Sequence, residues 1–481
     1  MLKLRLRFCL SMNLGRSWRS ELGAIGVLVC VATALDVHAL TAQSFGMDEG
    51  FSIFMARTDA GTFWRFIRRG EINMVFYYLL LRIWLYFSMS ELWIRLFSVI
   101  WAVATVPVVY AIGRRLLGSS GAVSAAMLLA LHPTAVIFAQ EARSYSLSLS
   151  LVSFSSLFFL RLLEDQNRLN CAGYVIFAVL AAYTHLFAVF VIAGQWVWLV
   201  LFFPAREQSS RVQLLVLVLP LLLLPLGVVV LSSYRQAADW IPPLTVSGFL
   251  QIWPFLALPK WPILLYVGLW TVAIGTSFSA RQRWAGRWQL GFVLAWLVVP
   301  IVLTLAISLY KPMLVPRFLL VCLPASVLLA ALGLIQLPRS FMGFALAVLA
   351  LASFNSVLSY YRHLGWKEDW RGATSFVVSH CEAGDSVVVI PTYGRFTFDY
   401  YRMLAQGPPK PLVYSEWESG RPFPAPTAGH RTWLVVSSVG SRLPGAQDAL
   451  QELTSDARVP SYVLVERWFN SIEVWLLGKM S

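Results

Sequence analysis

The run Met47-Asp48-Glu49-Gly50 places two adjacent carboxylates directly after the first long apolar block of the chain. A carboxylate in that position, partly desolvated and near cationic groups, can accept a proton from a hydroxyl or amine nucleophile. Capping is the competing reading, because Asp is favoured just before a helix and a helix starting at Glu49 would attract negative charge. A second group, Gln140-Glu141-Ala142-Arg143-Ser144-Tyr145, fills a very short connection between two apolar blocks. Ionisable groups so close to a bilayer are usually paired or functional, and the guanidinium fork of Arg143 suits a lipid phosphate. The plainer alternative is a solvated turn with Tyr145 as an interface anchor. His185, in Tyr183-Thr184-His185, reads as a sugar or metal contact or as an interfacial polar residue. Lys311 and Arg317 flank another block, as snorkelling anchors or phosphate ligands.

The elements that position these residues follow from composition. Of 481 residues, 58% are hydrophobic and 13% charged, a charged share about half that of an ordinary soluble domain. This excludes a soluble enzyme and predicts an integral membrane protein. Eleven apolar blocks could span, near residues 22–42, 92–113, 119–139, 144–163, 171–187, 188–204, 212–232, 262–280, 289–309, 317–337 and 341–360. The basic start (Lys3, Arg5, Arg7, Arg16, Arg19) leads into an apolar run longer than most signal-peptide cores, so the first block is expected to be an uncleaved span. Basic residues concentrate in one set of connections: Arg114-Arg115, Arg161 and Arg168, Arg206 and Arg211, Arg281, Arg283 and Arg287, then Arg339. The positive-inside rule makes that set and the N-terminus cytoplasmic. An odd number of spans puts the C-terminus outside, in a multi-pass protein of the inner (plasma) membrane. Topology thus accounts for much of the net charge of +14, with no basic tract of the kind that grips nucleic acid. The five cysteines are scattered without a CxxC, which argues against a disulfide framework or zinc site.

This parity makes residues 43–91 one external loop. Two interfacial helices are expected in it, one over Glu49 to Arg69 and one over Met74 to Phe87, with Tyr77, Tyr78, Trp84 and Tyr86 at headgroup depth. Residues 1–361 form the transmembrane domain, and 362–481 a small external α/β domain. The latter reads as a helix through Trp370 to Ser379, a strand Ser386 to Pro391, a helix near Phe396 to Met403 and a short strand Pro411 to Tyr414. A strand Thr432 to Val436, a helix Ala446 to Leu453 and strands Tyr462 to Arg467 and Ile472 to Leu477 follow. No Gly-rich phosphate loop follows a strand, so no nucleotide is assigned. The candidate residues all fall on the expected outer face, which suits a substrate with a greasy tail, a phosphate at the interface and a polar group outside.

At these residues the chain resembles the GT-C superfamily of membrane glycosyltransferases, in the branch of protein O-mannosyltransferases and lipid A aminoarabinose transferases that use polyprenyl-phosphate sugars. The landmarks are Asp48-Glu49; Tyr77-Tyr78-Leu79-Leu80-Leu81; Glu91 to Arg95 followed by Val106-Pro107 and Gly113-Arg114-Arg115-Leu116; Gln140 to Tyr145; Tyr183-Thr184-His185; and Pro316-Arg317-Phe318-Leu319. The tail opening Lys367-Glu368-Asp369-Trp370-Arg371, followed by Gly384 to Val388, is similar to the extracytoplasmic tail of bacterial members. One departure is Glu71 to Phe76, where the family often has a basic or His residue with Pro-Pro. The resemblance implies that Asp48, with Glu49 beside it, is the catalytic base, and that transfer inverts the anomeric centre. Glu141 would shape the acceptor or donor site. Arg143, Arg317 and Lys311 would hold the donor phosphate, and Tyr77, Tyr78, Tyr145 and His185 would contact substrate. A lipid phosphate is already a fair leaving group, so no metal or other cofactor is expected. The partners implied are a polyprenyl-phosphate sugar donor, an acceptor lipid, glycan or protein, and membrane lipids. The alternatives are a lipid or sugar transporter or flippase, against which stands the lack of a visible repeat, and a non-catalytic assembly scaffold.

Overall fold

The computed structural model describes residues 18–68, 71–203, 210–237, 241–277, 287–405, 413–414, 431–438 and 463–477. Its described part forms two compact units that do not follow chain order. One comprises Met1–His38, Gly61–Leu80 and Trp93–Tyr361; the other comprises Ala39–Ala60, Leu81–Leu92 and Arg362–Ser481. The first loop is therefore divided. Its two flanks, with the acidic pair, belong to the unit of the C-terminal tail, and its middle belongs to the helical unit.

Among the described residues, six helices are long and apolar enough to cross a bilayer by length and composition: Ser20–Val37, Glu91–Ala130, Tyr145–Glu164, Arg287–Ser308, Pro316–Leu334 and Arg339–Arg362. The blocks expected at 171–187, 188–204 and 262–280 form the shorter apolar helices Arg168–Thr184, Ala188–Phe202 and Ile263–Thr276. Internal prolines at 107, 220, 225 and 300 are carried within helices, as apolar surroundings with neighbouring helices allow. The long stretch Glu91–Ala130 is two helices meeting at Gly118, whose φ of 77° only glycine adopts without strain. The two arms then pack closely, because a Cβ on Gly113 would lie 2.9 Å from Ala122 Cα. Small residues dominate this contact: Ala32 of the first helix meets Ala122, Ala126 and Ala130 beside Val106 and Tyr110. Glu21 ties the same helices together by accepting from Tyr110 Oη, Arg114 Nε and Ser119 Oγ.

The second unit is built on a mixed sheet of order β2-β1-β3-β5-β4, from β1 (Ser386–Ile390), β2 (Val413–Tyr414), β3 (Thr432–Ser437), β4 (Val463–Phe469) and β5 (Ile472–Leu477). β1 runs parallel to β2 and β3, whereas β3–β5 and β4–β5 are antiparallel. The central strands β1 and β3 are continuous apolar runs buried on both faces, as parallel strands covered by helices must be. The expected helix over Ala446 to Leu453 lies outside the described residues, as do Arg206, Arg281, Arg283 and the basic N-terminal residues through Arg16. Asp385 pins the start of β1: it accepts from Arg431 Nη2 at 2.8 Å, Trp433 Nε1 at 2.9 Å and Glu382 N at 2.9 Å.

Where the spacing suggested two helices in the first loop, its described residues form three, Met47–Arg57, Ala60–Arg68 and Val75–Leu85, with a 3₁₀ turn at Glu71–Met74. Thr58 adopts extended φ/ψ and breaks the segment expected as one helix from Glu49 to Arg69. Helix Met47–Arg57 packs on helix Arg395–Leu404 of its own unit. Phe54 meets Phe396 at 4.3 Å and Phe51 meets Tyr393 at 4.9 Å between ring centroids.

Candidate active site

In the helical unit, three segments distant in sequence bring two arginines towards one histidine. Arg143 follows a tight turn in which its N–H donates to Glu141 O at 2.8 Å. Ser98 Oγ donates to the same carbonyl at 2.6 Å, so the polar turn is fastened to the preceding hairpin. The Arg143 guanidinium lies 5.9 Å from the centre of the Tyr145 ring, and that of Arg317 lies 5.9 Å from the Phe318 ring. Both rings border His185, at 5.8 Å and 5.2 Å between centroids. Burial, and then the positive charges of Arg143 and Arg317, push the His185 imidazole well below its ordinary range, so it is neutral near pH 7. Its Nδ1 accepts from Phe187 N at 3.4 Å. The ring thus works inside its own turn, bordered by the Tyr145 and Phe318 rings.

Two residues outside the expected site residues tie these segments of the helical unit together. Asn73 Oδ1 accepts from Leu186 N at 2.9 Å and so secures the His185 turn. Asn73 lies within the stretch that departs from the family pattern, and that departure was the available signal. Gln140 Nε2 donates to Asp36 O at 3.1 Å and His38 O at 2.7 Å, while Tyr360 Oη donates to Gln140 Oε1 at 3.1 Å. Its amide satisfies carbonyls at the end of the first helix, which have no partner within the helix, and joins that end to the last helix of the unit.

Tyr77 and Tyr78 differ from expectation. Both are 0% exposed, with ring centroids 5.9 Å apart and Tyr77 5.8 Å from Phe97. They are interior residues of the helical unit and not headgroup anchors; of the aromatics named for that role, Tyr86 is exposed. A helix in contact with protein on that side buries the rings that a helix lying on lipid would leave at the surface. Lys311 lies in the turn after helix Arg287–Ser308, half-buried, its N–H bonded to Ile307 O at 2.8 Å.

The acidic pair is built differently from the capping reading. Helix Met47–Arg57 starts two residues earlier than the capping reading has it, with Gly46 as its N-cap. Asp48 therefore lies in the first turn, half-buried, and Glu49 performs the capping: its Oε2 accepts from Gly46 N at 3.0 Å. Glu49 also pairs with Lys367 at 3.6 Å. The neighbouring carboxylate is Glu368, which burial pushes upward in pKa and to which the charge of Asp48 adds. A cleft of about 480 Å³ opens in this unit, lined in part by Gln43, Ser44, Lys367, Glu368, Asp369 and Asn470. The predicted residues thus divide between the units: Arg143, Tyr145, His185 and Arg317 come together in one, and Asp48 and Glu49 in the other. Among the described residues no three His, Cys, Asp or Glu side chains gather as a metal site.

The family model for dolichyl-phosphate-mannose-protein mannosyltransferases matches residues 73–231. No curated protein sequence matches the chain. Among solved structures, ArnT from Cupriavidus metallidurans bound to undecaprenyl phosphate superposes with a TM-score of 0.62 at 13% identity, covering 95% of this chain and 99% of that one. The apo state of the same protein gives 0.62 at 14% identity, with 96% and 100% covered. The chain accordingly has the GT-C fold, a polytopic helical membrane domain with a small C-terminal sheet region.

Proposed function

We propose that the chain is a membrane glycosyltransferase that moves a sugar from a polyprenyl-phosphate carrier to an acceptor on the extracytoplasmic face. The observation that carries this reading is the pair of guanidiniums, Arg143 and Arg317, set around a histidine that burial and their own charge keep neutral. Two positive forks with no competing imidazolium between them suit a phosphate monoanion or dianion. The shared fold with ArnT, whose structure holds undecaprenyl phosphate, and the match to the mannosyltransferase family model support the same class of donor.

In the proposed reaction the acceptor O–H or N–H loses its proton to a carboxylate oxygen of Asp48 as the heteroatom attacks the anomeric carbon. The bond from that carbon to the phosphate oxygen breaks, and its electron pair leaves with the polyprenyl phosphate. Arg143, Arg317 and Lys311 stabilise the charge that develops there. Attack opposite the leaving group inverts the anomeric centre. Glu49, held by its cap and by Lys367, fixes the helix turn that carries Asp48, and Glu141 shapes the donor or acceptor pocket.

The test is to incubate purified protein with a panel of radiolabelled polyprenyl-phosphate sugars and membrane extract, and to follow label into acceptor. Asp48→Asn should fold and bind donor while turnover falls by ~10²–10⁴-fold, the contribution of a general base. Near-normal turnover in that variant removes Asp48 from the role. Substrate-dependent flux in proteoliposomes without any new glycosidic bond would favour transport instead.

A further inference from the structure

Glu368 is a buried ionisable group to which the mechanism gives no task. Glu368 is 6% exposed and lies in the strap Lys367–Trp370 that opens the C-terminal region. Ser437 Oγ donates to its Oε1, and Trp370 Nε1 donates to its Oε2 at 3.1 Å. The strap's backbone is tied to the segment just ahead of the Asp48 helix: Ser44 Oγ donates to Glu368 O at 2.5 Å and accepts from Trp370 N at 3.1 Å. One residue earlier, Lys367 pairs with Glu49, whose carboxylate already caps that helix through Gly46 N. The first turn carrying Asp48 is therefore bracketed by the strap on both sides. The other charged groups nearby have their own partners, Asp369 capping Gly372 N at 2.9 Å and Arg371 paired with Glu91.

We propose that Glu368 is a positioning residue for transfer, holding the turn that bears Asp48 and setting the negative field at that carboxylate. The proposal rests on Asp48 being the base. A buried carboxylate is an expensive way to build a strut, since two hydrogen bonds to Ser437 and Trp370 could be made by a neutral amide. Its charge has a use if it raises the proton affinity of the neighbouring base, because like charges close together each favour the protonated form of the other. Burial pushes Glu368 up first of all, Ser437 and Trp370 pull it down, Asp48 pushes it up again, and the charge of Lys367 pulls it down. The sign of the stability effect follows. A carboxyl raised in the folded state contributes stability below its unfolded pKa and loses it as pH rises through the folded value, so ionisation of Glu368 is a burden on the fold.

The test is Glu368→Gln in the full-length protein, with Asp48→Asn in parallel. Glutamine can accept from Trp370 through Oε1 and donate to Ser437 through Nε2, so the strap keeps its bonds and loses only the charge. The expected result is a thermal midpoint near pH 7 equal to or above wild type, kcat lowered about tenfold or more, donor KM unchanged, and the acid limb of the kcat/KM profile moved about half a unit or more to lower pH. Wild-type kcat with an unmoved acid limb overturns the proposal. So does a lowered midpoint with an unmoved limb, which is the signature of a strut. If Glu368→Gln fails to fold, Ser437→Ala is measured: reduced kcat with a shifted limb supports the proposal, and a wild-type profile overturns it. An active Asp48→Asn removes the base itself; an inactive Asp48→Asn beside an unaltered Glu368→Gln removes only the role of Glu368.

Discussion

Arg143 and Arg317 are placed by different means and end with the same relation to an aromatic face. One follows the Glu141 turn and lies by Tyr145; the other opens the 3₁₀ segment Pro316–Cys322 and lies by Phe318. A flat guanidinium can stack on a ring and still present a fork of N–H groups to phosphate oxygens, whereas an ammonium presents a point charge. Arg143→Lys and Arg317→Lys should therefore each raise donor KM by ~10-fold or more, while leaving the thermal midpoint within about 2 °C. An unchanged donor KM in both would assign the phosphate to another cation. For His185 the structure adds burial to residue type: the ring is 2% exposed and its Nδ1 accepts from Phe187 N within its own turn.

Among the elements, helix Met47–Arg57 shows most clearly how position is imposed. Its polar edge carries Asp48 and Glu49, and its apolar side is set by Gly50, where a Cβ would lie 2.6 Å from Thr397 Cα and 2.7 Å from Thr397 N. Because these are backbone atoms, no rotamer change relieves the clash. Gly50→Ala should destabilise the fold by ~1–3 kcal/mol through overpacking, read as a lowered thermal midpoint, and should depress turnover with it by tilting the Asp48 turn. A midpoint equal to wild type would mean the two helices are not packed at this distance. The aromatic ladder of Phe51, Phe54, Tyr393 and Phe396 continues the same contact. It explains why a segment with apolar residues at helical spacing turns towards protein: the tail offers rings that exclude water as well as lipid would.

For the whole molecule, the polytopic helical architecture and the extracytoplasmic site stand on different footings. Among the described residues, six helices qualify for crossing by length and composition. The side on which position 48 lies is the expectation drawn from the Lys/Arg asymmetry. A single cysteine introduced at Asp48 in a background without the native cysteines should react in intact spheroplasts with a reagent that does not cross the membrane. Labelling only after the membrane is opened would place it in the cytosol and end the proposed reaction scheme.

Much was legible in the chain itself, because hydrophobic burial and backbone hydrogen bonding act over local periods. The apolar blocks, the alternation in the tail that became β1 to β5, and the clustering of Arg143 beside Tyr145 all follow from neighbours in sequence. Only the tertiary structure decided that the acidic pair shares a unit with Lys367, Glu368 and Thr397, more than three hundred positions away. It also decided that Glu49 and not Asp48 completes the helix cap, and that Tyr77 and Tyr78 are sealed inside. Each of those outcomes depends on which surface a helix meets, and a helical period states that one face is apolar without naming the partner that covers it.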